Sequence, residues 1–359
     1  MKKTILRSAL ITTLFFAPHL QAFELSKQAV HATVNLNMPN ANGIAKKQIT
    51  LMNIKLTAKE KETILQRLPR KINFSNSGEL PAAVNLGMNK VPVLDQGQHG
   101  TCVTFASTAA VDALIGKGDY VSQLCSLELG AYFEEKGYMP SGWEGTFGPM
   151  VLDQLFRFGY VNQTNQRKNS CAGVFEYPAT DEADTGKTLT LDEFKKQSEN
   201  MVDKDNFPAW AWTPLLNVFD RFYNPLKDAE DIKRVLTNIK QSLANGHRVT
   251  FGAFLMTSKV CNDIACASYH VKNDTWALTP SIVKNPVILG GHEMVITGYD
   301  DNAVASDAEG VKHTGLLILR NSWSQDAGDN GNYYMTYDYF MKLAIEAQKV
   351  MPLDEEKTH

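Results

Sequence analysis

The sequence predicts an α+β chain: helices dominate the first half of the main body, strands the second, and a small hairpin and helix precede both. Three observations support this. Cys102 to Ile115 is a largely apolar run ended by Gly116, and apolar residues recur at helical spacing from Asp231 to Leu243. The later runs VTFGAFL, EMVITGY, TGLLILR and NYYMTY read as strands separated by turns. Residues 23–79, rich in lysine and lacking cysteine, tryptophan and tyrosine, differ in character from everything that follows.

Taken in order, Lys2, Lys3 and Arg7 precede an apolar stretch from Ser8 to Ala17 and the polar end Leu20-Gln21-Ala22. That is the pattern of a secretory signal peptide (residues 1–22) cut after Ala22, and the stretch is shorter than the roughly 20 residues a membrane anchor needs. Val30, Ala32, Val34 and Leu36 then alternate as on a half-buried strand, PNANG offers a turn, and ITLMNIKL returns with one irregularity. Thr57 and Glu60 form a capping-box pair that opens a helix through Ile64, Leu65 and Leu68, stopping near Pro69. A hairpin and one helix bury too little to stand alone, so residues 23–79 are expected to dock on the larger body.

The main body, residues 80–359, begins with a largely apolar helix from Cys102, ended by Gly116. A second helix is expected from Pro149 to Phe158, and a third from Asp231 to Leu243, carrying Ile232, Val235, Leu236 and Ile239 on one face. Residues 180–225 are polar and then aromatic, with no clear element, and no internal repeat is visible.

A chain of 359 residues that is 43% hydrophobic has ample material for a core. Its 36 basic and 39 acidic residues are well mixed, and a net charge of −3 points neither to nucleic acid nor to an anionic membrane surface. Five cysteines in an exported chain leave four once Cys102 is set aside. Cys261 and Cys266 bracket a short loop and are expected to pair, which leaves Cys125 with Cys171 by elimination; buried free thiols are the alternative. No HExxH, paired CxxC or phosphate-type glycine loop occurs, so no metal or organic cofactor is implied.

The chemistry lies in three blocks. Cys102 sits in QGQHGTCVTFAS, at the start of its helix, where the positive end of the macrodipole and unpaired N–H groups favour thiolate. GGHEMVITGYD holds His292 and LRNSWSQDAGDNGNYY holds Asn321. A thiol, an imidazole and a carboxamide are the parts of a cysteine-histidine-asparagine hydrolase.

In these blocks the chain resembles the papain-like (C1 family) cysteine peptidases of bacterial type, from about Pro81 to Tyr337. PAAVNLGMNKVPVLDQGQHGTC looks like the mature N-terminus running into the cysteine box, and the other two blocks look like the histidine and asparagine boxes. The resemblance implies a two-lobe fold: a helical lobe over about 95–225, a β-barrel-like lobe over about 226–350, and a cleft between them. It implies Cys102 as nucleophile, His292 as general base and then acid, and Asn321 as the group that orients the imidazole. Gln96, with the backbone N–H of Cys102, completes an oxyanion hole, and Trp323 shields the His–Asn hydrogen bond.

Gly145 and Thr146 fall at the paired glycines of the family's substrate-binding strand, where a threonine side chain narrows the second specificity pocket. Glu293 falls where that pocket is lined and is expected to favour a polar or basic residue, unless its carboxylate points to solvent. Val103 and Ser324 depart from the usual tryptophan and glycine, and His99 and Trp143 stand where a disulfide is usual. The segment DDNAVASDAEGVKH reads as a turn-like insertion between the histidine and asparagine boxes.

The expected activity is hydrolysis of peptide or protein substrates by a secreted or periplasmic enzyme, with residues 23–79 as an intramolecular inhibitor; the alternative for those residues is a structural extension. Two other functional classes remain open: a catalytically silent peptide-binding or adhesion protein on the same scaffold, and a non-peptide acyl-transfer thiol enzyme.

Overall fold

The computed structural model describes residues 32–40, 43–52, 54, 56–72, 74, 80–180, 187–199, 210–217, 228–261 and 263–353. Residues 1–22, which the sequence pattern reads as a signal peptide, lie outside them. An antiparallel hairpin, β1 (Ala32–Asn40) and β2 (Gly43–Leu51), is followed by helix α1 (Ala58–Arg67). Thr57 accepts from the Glu60 N–H while the Glu60 carboxylate accepts from the Thr57 N–H, so the capping box forms as the sequence requires.

The main body opens with β3 (Ala83–Asn85) and then α2 (Cys102–Ile115). Every α2 residue from Cys102 to Ala113 is buried, which is why the helix is apolar all round, and Gly116 closes it in the left-handed conformation at φ 75°. Around α2 lie α3 (Gln123–Glu135), α4 (Gly148–Phe158), α5 (Gln163–Asn169) and α6 (Leu191–Gln197). Pro149 sits in the first turn of α4, where its missing N–H costs nothing. A disulfide joins Cys125 of α3 to Cys171, and Leu124, Leu129, Phe133, Val161, Leu189 and Phe194 pack around it.

Next come β4 (Trp210–Leu216), α7 (Asp228–Ala244) and β5 (Val249–Thr257). They lead to β6 (Ala267–Ser268), β7 (Thr275–Trp276), α8 (Pro280–Lys284), β8 (Val287–Asp307), β9 (Lys312–Arg320), β10 (Asn332–Thr336), α9 (Tyr337–Leu343) and β11 (Ala344–Pro352). The strand order is β4-β11-β5-β8-β6-β7-β10-β9 with β3 also on β8, and because β9 pairs back onto β8 the latter strands close into a barrel. This is the expected α+β architecture of a helical lobe and a barrel-like lobe. A second disulfide, Cys261–Cys266, closes the short loop, leaving Cys102 as the unpaired cysteine.

Two expectations are corrected. The region from 180 to 225 contains α6, opened by a Thr190–Glu193 capping box, and β4, which pairs with β11 as part of the main sheet. DDNAVASDAEGVKH is not turn-like: Val304, Ala305 and Ser306 pair with Thr314, His313 and Lys312, prolonging β8 and β9 into a hairpin. The alternation of small and branched residues in NAVAS is a strand pattern that the flanking aspartates obscure.

The N-terminal elements dock on the β-rich lobe as expected. Ile49, Leu51, Met52, Ile54, Ile64 and Leu68 are buried within the same core as Phe251, Phe254, Trp276 and Phe340. Burial of each such side chain contributes about 1.5–3 kcal/mol. Polar contacts fix the register: Lys342 Nζ donates to the Leu68 carbonyl at 2.9 Å, Lys47 pairs with Asp95, and the Lys240 ammonium lies 5.4 Å from the Phe74 ring. No helix among the described residues is long and apolar enough to cross a membrane.

Candidate active site

Cys102 is the first residue of α2 and is fully buried. Thr101 offers no side-chain cap, so the first-turn N–H groups remain directed at the thiol. Burial nevertheless dominates and pushes the thiol up to about 12, against the backbone N–H groups of Glu293, Val103 and Cys102 that favour thiolate. Its place at a helix start predicts the opposite direction. A helix start acts locally, whereas desolvation comes from tertiary cover that no local pattern encodes.

His292 lies on β8, paired with Ala253 of β5. Its Nε2 is 2.8 Å from Asn321 Oδ1, which also accepts the backbone N–H of Ser322 at 2.8 Å. A backbone N–H can only donate, so this Asn321 atom is the oxygen and His292 Nε2 carries the proton. The other ring nitrogen, Nδ1, is buried and without a hydrogen-bond partner among the described residues, and burial lowers the imidazole to about 4. The ring is therefore neutral, with an open acceptor at Nδ1. Trp323 stacks on it, centroids 4.4 Å apart and planes 24° from parallel, and is itself fully buried. The histidine–asparagine hydrogen bond is thus kept in a dry environment.

Gln96 is held from both ends of its amide. Ser322 Oγ donates to Gln96 Oε1 at 2.8 Å, and Gln96 Nε2 donates to the His99 carbonyl at 2.8 Å, leaving one amide hydrogen uncommitted. The backbone repeats the link, with Gln96 N donating to Ser322 O and Ser324 N to Leu94 O. The strip before the cysteine is thereby stitched to the strip that carries Asn321.

Of the remaining residues singled out from the sequence, Gly145 lies against the N-terminal extension, whereas Thr146 and Glu293 are buried elsewhere. Met52 exchanges two backbone hydrogen bonds with Gly291, at 3.0 and 2.8 Å, so the chain just after β2 lies antiparallel to the residue before His292. Across from it, a Cβ on Gly145 would fall 2.6 Å from Met52 Cγ, and a Cβ on Gly291 would fall 2.8 Å from both Met52 Cε and Ile54 Cδ1. Two glycines thus admit one strand of the N-terminal extension between the lobes. Thr146 is buried, its hydroxyl directed at Met150 Sδ at 3.6 Å.

Glu293 does not point to solvent. It is 1% exposed and stands next to Glu346 across Gly252, whose missing side chain leaves room for both carboxyls. The Gly148 N–H, at the start of α4, donates to Glu346 Oε1 at 3.1 Å, and Gln348 donates to Glu346 Oε2 at 3.2 Å. Burial first, and then the neighbouring Glu346 carboxyl, raise Glu293 well above the usual carboxylate range; burial raises Glu346 as well. The pair holds at least one proton near neutrality.

Sequence reading assigned no role to Ser322, which orients Gln96, or to Met52, which fills the groove. Ser322 lies inside the asparagine block, and Met52 marks the irregularity in ITLMNIKL, where two large apolar residues stand side by side. Among the described residues, no group of three or more histidine, cysteine, aspartate or glutamate side chains converges to hold a metal ion.

No family's sequence profile matches the chain, and no curated protein sequence matches it. Solved structures do. Xylellain, a cysteine protease from Xylella fastidiosa, superposes with a TM-score of 0.50 at 18% identity, covering 78% of this chain and 90% of that one. Digestive procathepsin L 3 of the Tenebrio molitor larval midgut gives a TM-score of 0.45 at 16% identity, covering 82% of this chain and 79% of that one. The fold is that of the papain-like cysteine proteases.

Proposed function

We propose that this protein is an exported cysteine peptidase made as a zymogen. Cys102 attacks the scissile carbonyl and its proton passes to His292 Nδ1; the imidazolium then protonates the leaving amine, giving an acyl-enzyme that water hydrolyses. Asn321 fixes the imidazole tautomer, and Gln96 with the Cys102 N–H stabilises the oxyanion, each donor contributing about 2.7–4 kcal/mol to the transition state. Residues 23–79 act as the prosegment. Export rests on the N-terminal pattern and accords with the two disulfides.

The observation that carries this reading is the neutral His292 ring, tethered at Nε2 by Asn321, covered by Trp323 and open at Nδ1, on the strand whose next residue, Glu293, brings its backbone N–H to the Cys102 thiol. The Met52–Gly291 pairing supports the zymogen part, because an extended peptide bound beside His292 would need the same Gly291 backbone groups that Met52 uses. In the occluded form the thiol is protonated and the groove is full.

The test compares the full-length protein with one trimmed of residues 23–79, using a fluorogenic peptide and an epoxysuccinyl thiol-protease inhibitor. Hydrolysis and covalent labelling at Cys102 should appear on trimming and vanish in Cys102→Ser. Equal activity before and after trimming would leave residues 23–79 as a structural extension. Labelling without hydrolysis of any peptide would favour a thiol enzyme of another class, and neither would favour a silent binding protein.

A further inference from the structure

The loop from Gln96 to Thr101 has a demanding task under the proposed function. Its first residue supplies one oxyanion donor from a side chain, and the residue after its last supplies the other from the backbone. Both must meet one oxygen atom, with a tolerance of roughly 0.5 Å. Within the loop one hydrogen bond, from Gln96 Nε2 to the His99 carbonyl, holds the carboxamide, but it does not reach Cys102; Gly97 is in the left-handed region at φ 61°, and Thr101 gives α2 no side-chain cap.

The segment Tyr177–Ala179 grips this loop along its length. Tyr177 Oη donates to the Gln96 carbonyl at 2.7 Å, which uses its single proton. The 2.9 Å contact between Thr101 Oγ1 and Tyr177 Oη must therefore have threonine as donor. One hydroxyl ties the first residue of the loop to the last. In between, His99 Nε2 donates to the Pro178 carbonyl at 2.6 Å and Gln98 N donates to the Ala179 carbonyl at 2.9 Å. A Cβ on Gly97 would fall 1.8 Å from that same Ala179 oxygen, so the two backbones are in direct apposition.

The tyrosine ring is fixed in turn. It stacks on Trp143 with planes 5° from parallel and centroids 5.8 Å apart, and meets Phe105 of α2 edge-on at 4.9 Å and His99 at 5.9 Å. Burial raises the phenol further above its already high range, so it keeps its proton.

We infer that Tyr177 is a positioning residue of the oxyanion loop, its hydroxyl setting the distance between the Gln96 carboxamide and the Cys102 N–H. The inference rests on the proposed role of Gln96. Because the oxyanion exists only in the transition state, loosening the loop should affect turnover and leave peptide binding alone.

The enzyme released from the folded full-length protein by limited proteolysis of residues 23–79, its fold checked by circular dichroism, and its Tyr177→Phe variant prepared in the same way are compared in three assays. For the variant, kcat should fall about tenfold with KM within about twofold, the signature of an interaction made only in the transition state. Alkylation of Cys102 by iodoacetamide, which passes through no oxyanion, should keep its rate. A peptide aldehyde, whose hemithioacetal oxygen occupies the hole, should lose affinity by the same factor as kcat/KM. Thr101→Val, which removes the other bond to the hydroxyl, should show the same pattern with a smaller loss; it carries the test if Tyr177→Phe does not fold. Unchanged kcat in both variants, or alkylation falling in parallel with hydrolysis, would overturn the inference. A wild-type enzyme that neither hydrolyses peptide nor reacts with iodoacetamide would instead remove the proposed function, and this inference with it.

Discussion

Cys102 and His292 illustrate how burial decides the resting protonation of a thiol and an imidazole. Burial holds the thiol up to about 12 and the imidazole down to about 4, so both favour their neutral forms while covered. Held up at about 12 by burial, the thiol has a thiolate fraction at pH 8 smaller by about 10³ than that of an ordinary cysteine. Iodoacetamide should therefore label the untrimmed protein at Cys102 on the order of 10²–10³ times more slowly than the trimmed one, with the gap narrowing as pH rises toward 11. Mass-spectrometric labelling against pH checks this, and comparable rates at pH 8 would show that the cover does not control the thiol. The identities of Cys102, His292 and Asn321 were legible in the sequence because each lies in a compact local pattern. Tyr177 and Ser322 were not, because their importance lies in which oxygen they touch.

Helices and strands were legible in proportion to how one-sided their burial is. The α7 stripe of Ile232, Val235, Leu236, Ile239 and Leu243 is buried on one face, so its period is plain. In contrast, β11 is buried on both faces and carries Glu346 and Gln348 at full burial, which removes the alternation by which a strand is recognised. β4 contains Pro214, and its strand character depends on β11, far along the chain. The N-terminal helix α1 is anchored by Ile64 and Leu68, each 1% exposed. Ile64→Ala should weaken docking of the extension by about 2–4 kcal/mol. Its signature is faster labelling of Cys102 in the untrimmed protein, with no effect once residues 23–79 are gone. An unchanged labelling rate would mean that the hairpin alone keeps the groove closed.

At the scale of the whole molecule, the lobes meet over a buried carboxyl pair, Glu293 and Glu346, that makes no salt bridge among the described residues. Glu293 and Glu346 keep protons in the folded state that they release, from about 4.5 upward, when unfolded. Their contribution is therefore full below pH 4.5 and declines as pH rises through the higher folded values. His292 has the opposite sign: its folded value lies below the unfolded 6.5, so stability falls as pH drops from 6.5 toward 4. In Glu346→Gln one of the two carboxyls is gone while His292 remains. The variant should match wild type near pH 4 and exceed it by about 1–3 kcal/mol at pH 8. Thermal unfolding across that range reads the difference, and parallel curves would show that the pair does not titrate with folding.

The two backbone hydrogen bonds between Met52 and Gly291 carry a last consequence. An extended guest laid antiparallel on Gly291 could make the same two bonds with any sequence, so trading the resident strand for an incoming one is nearly isoenergetic at the main chain. Preference between them is then left to anchors outside the groove, Leu68 on Lys342 and the apolar faces of β2 and α1. A short guest can compete only after those distant moorings are cut, however well its side chains fit.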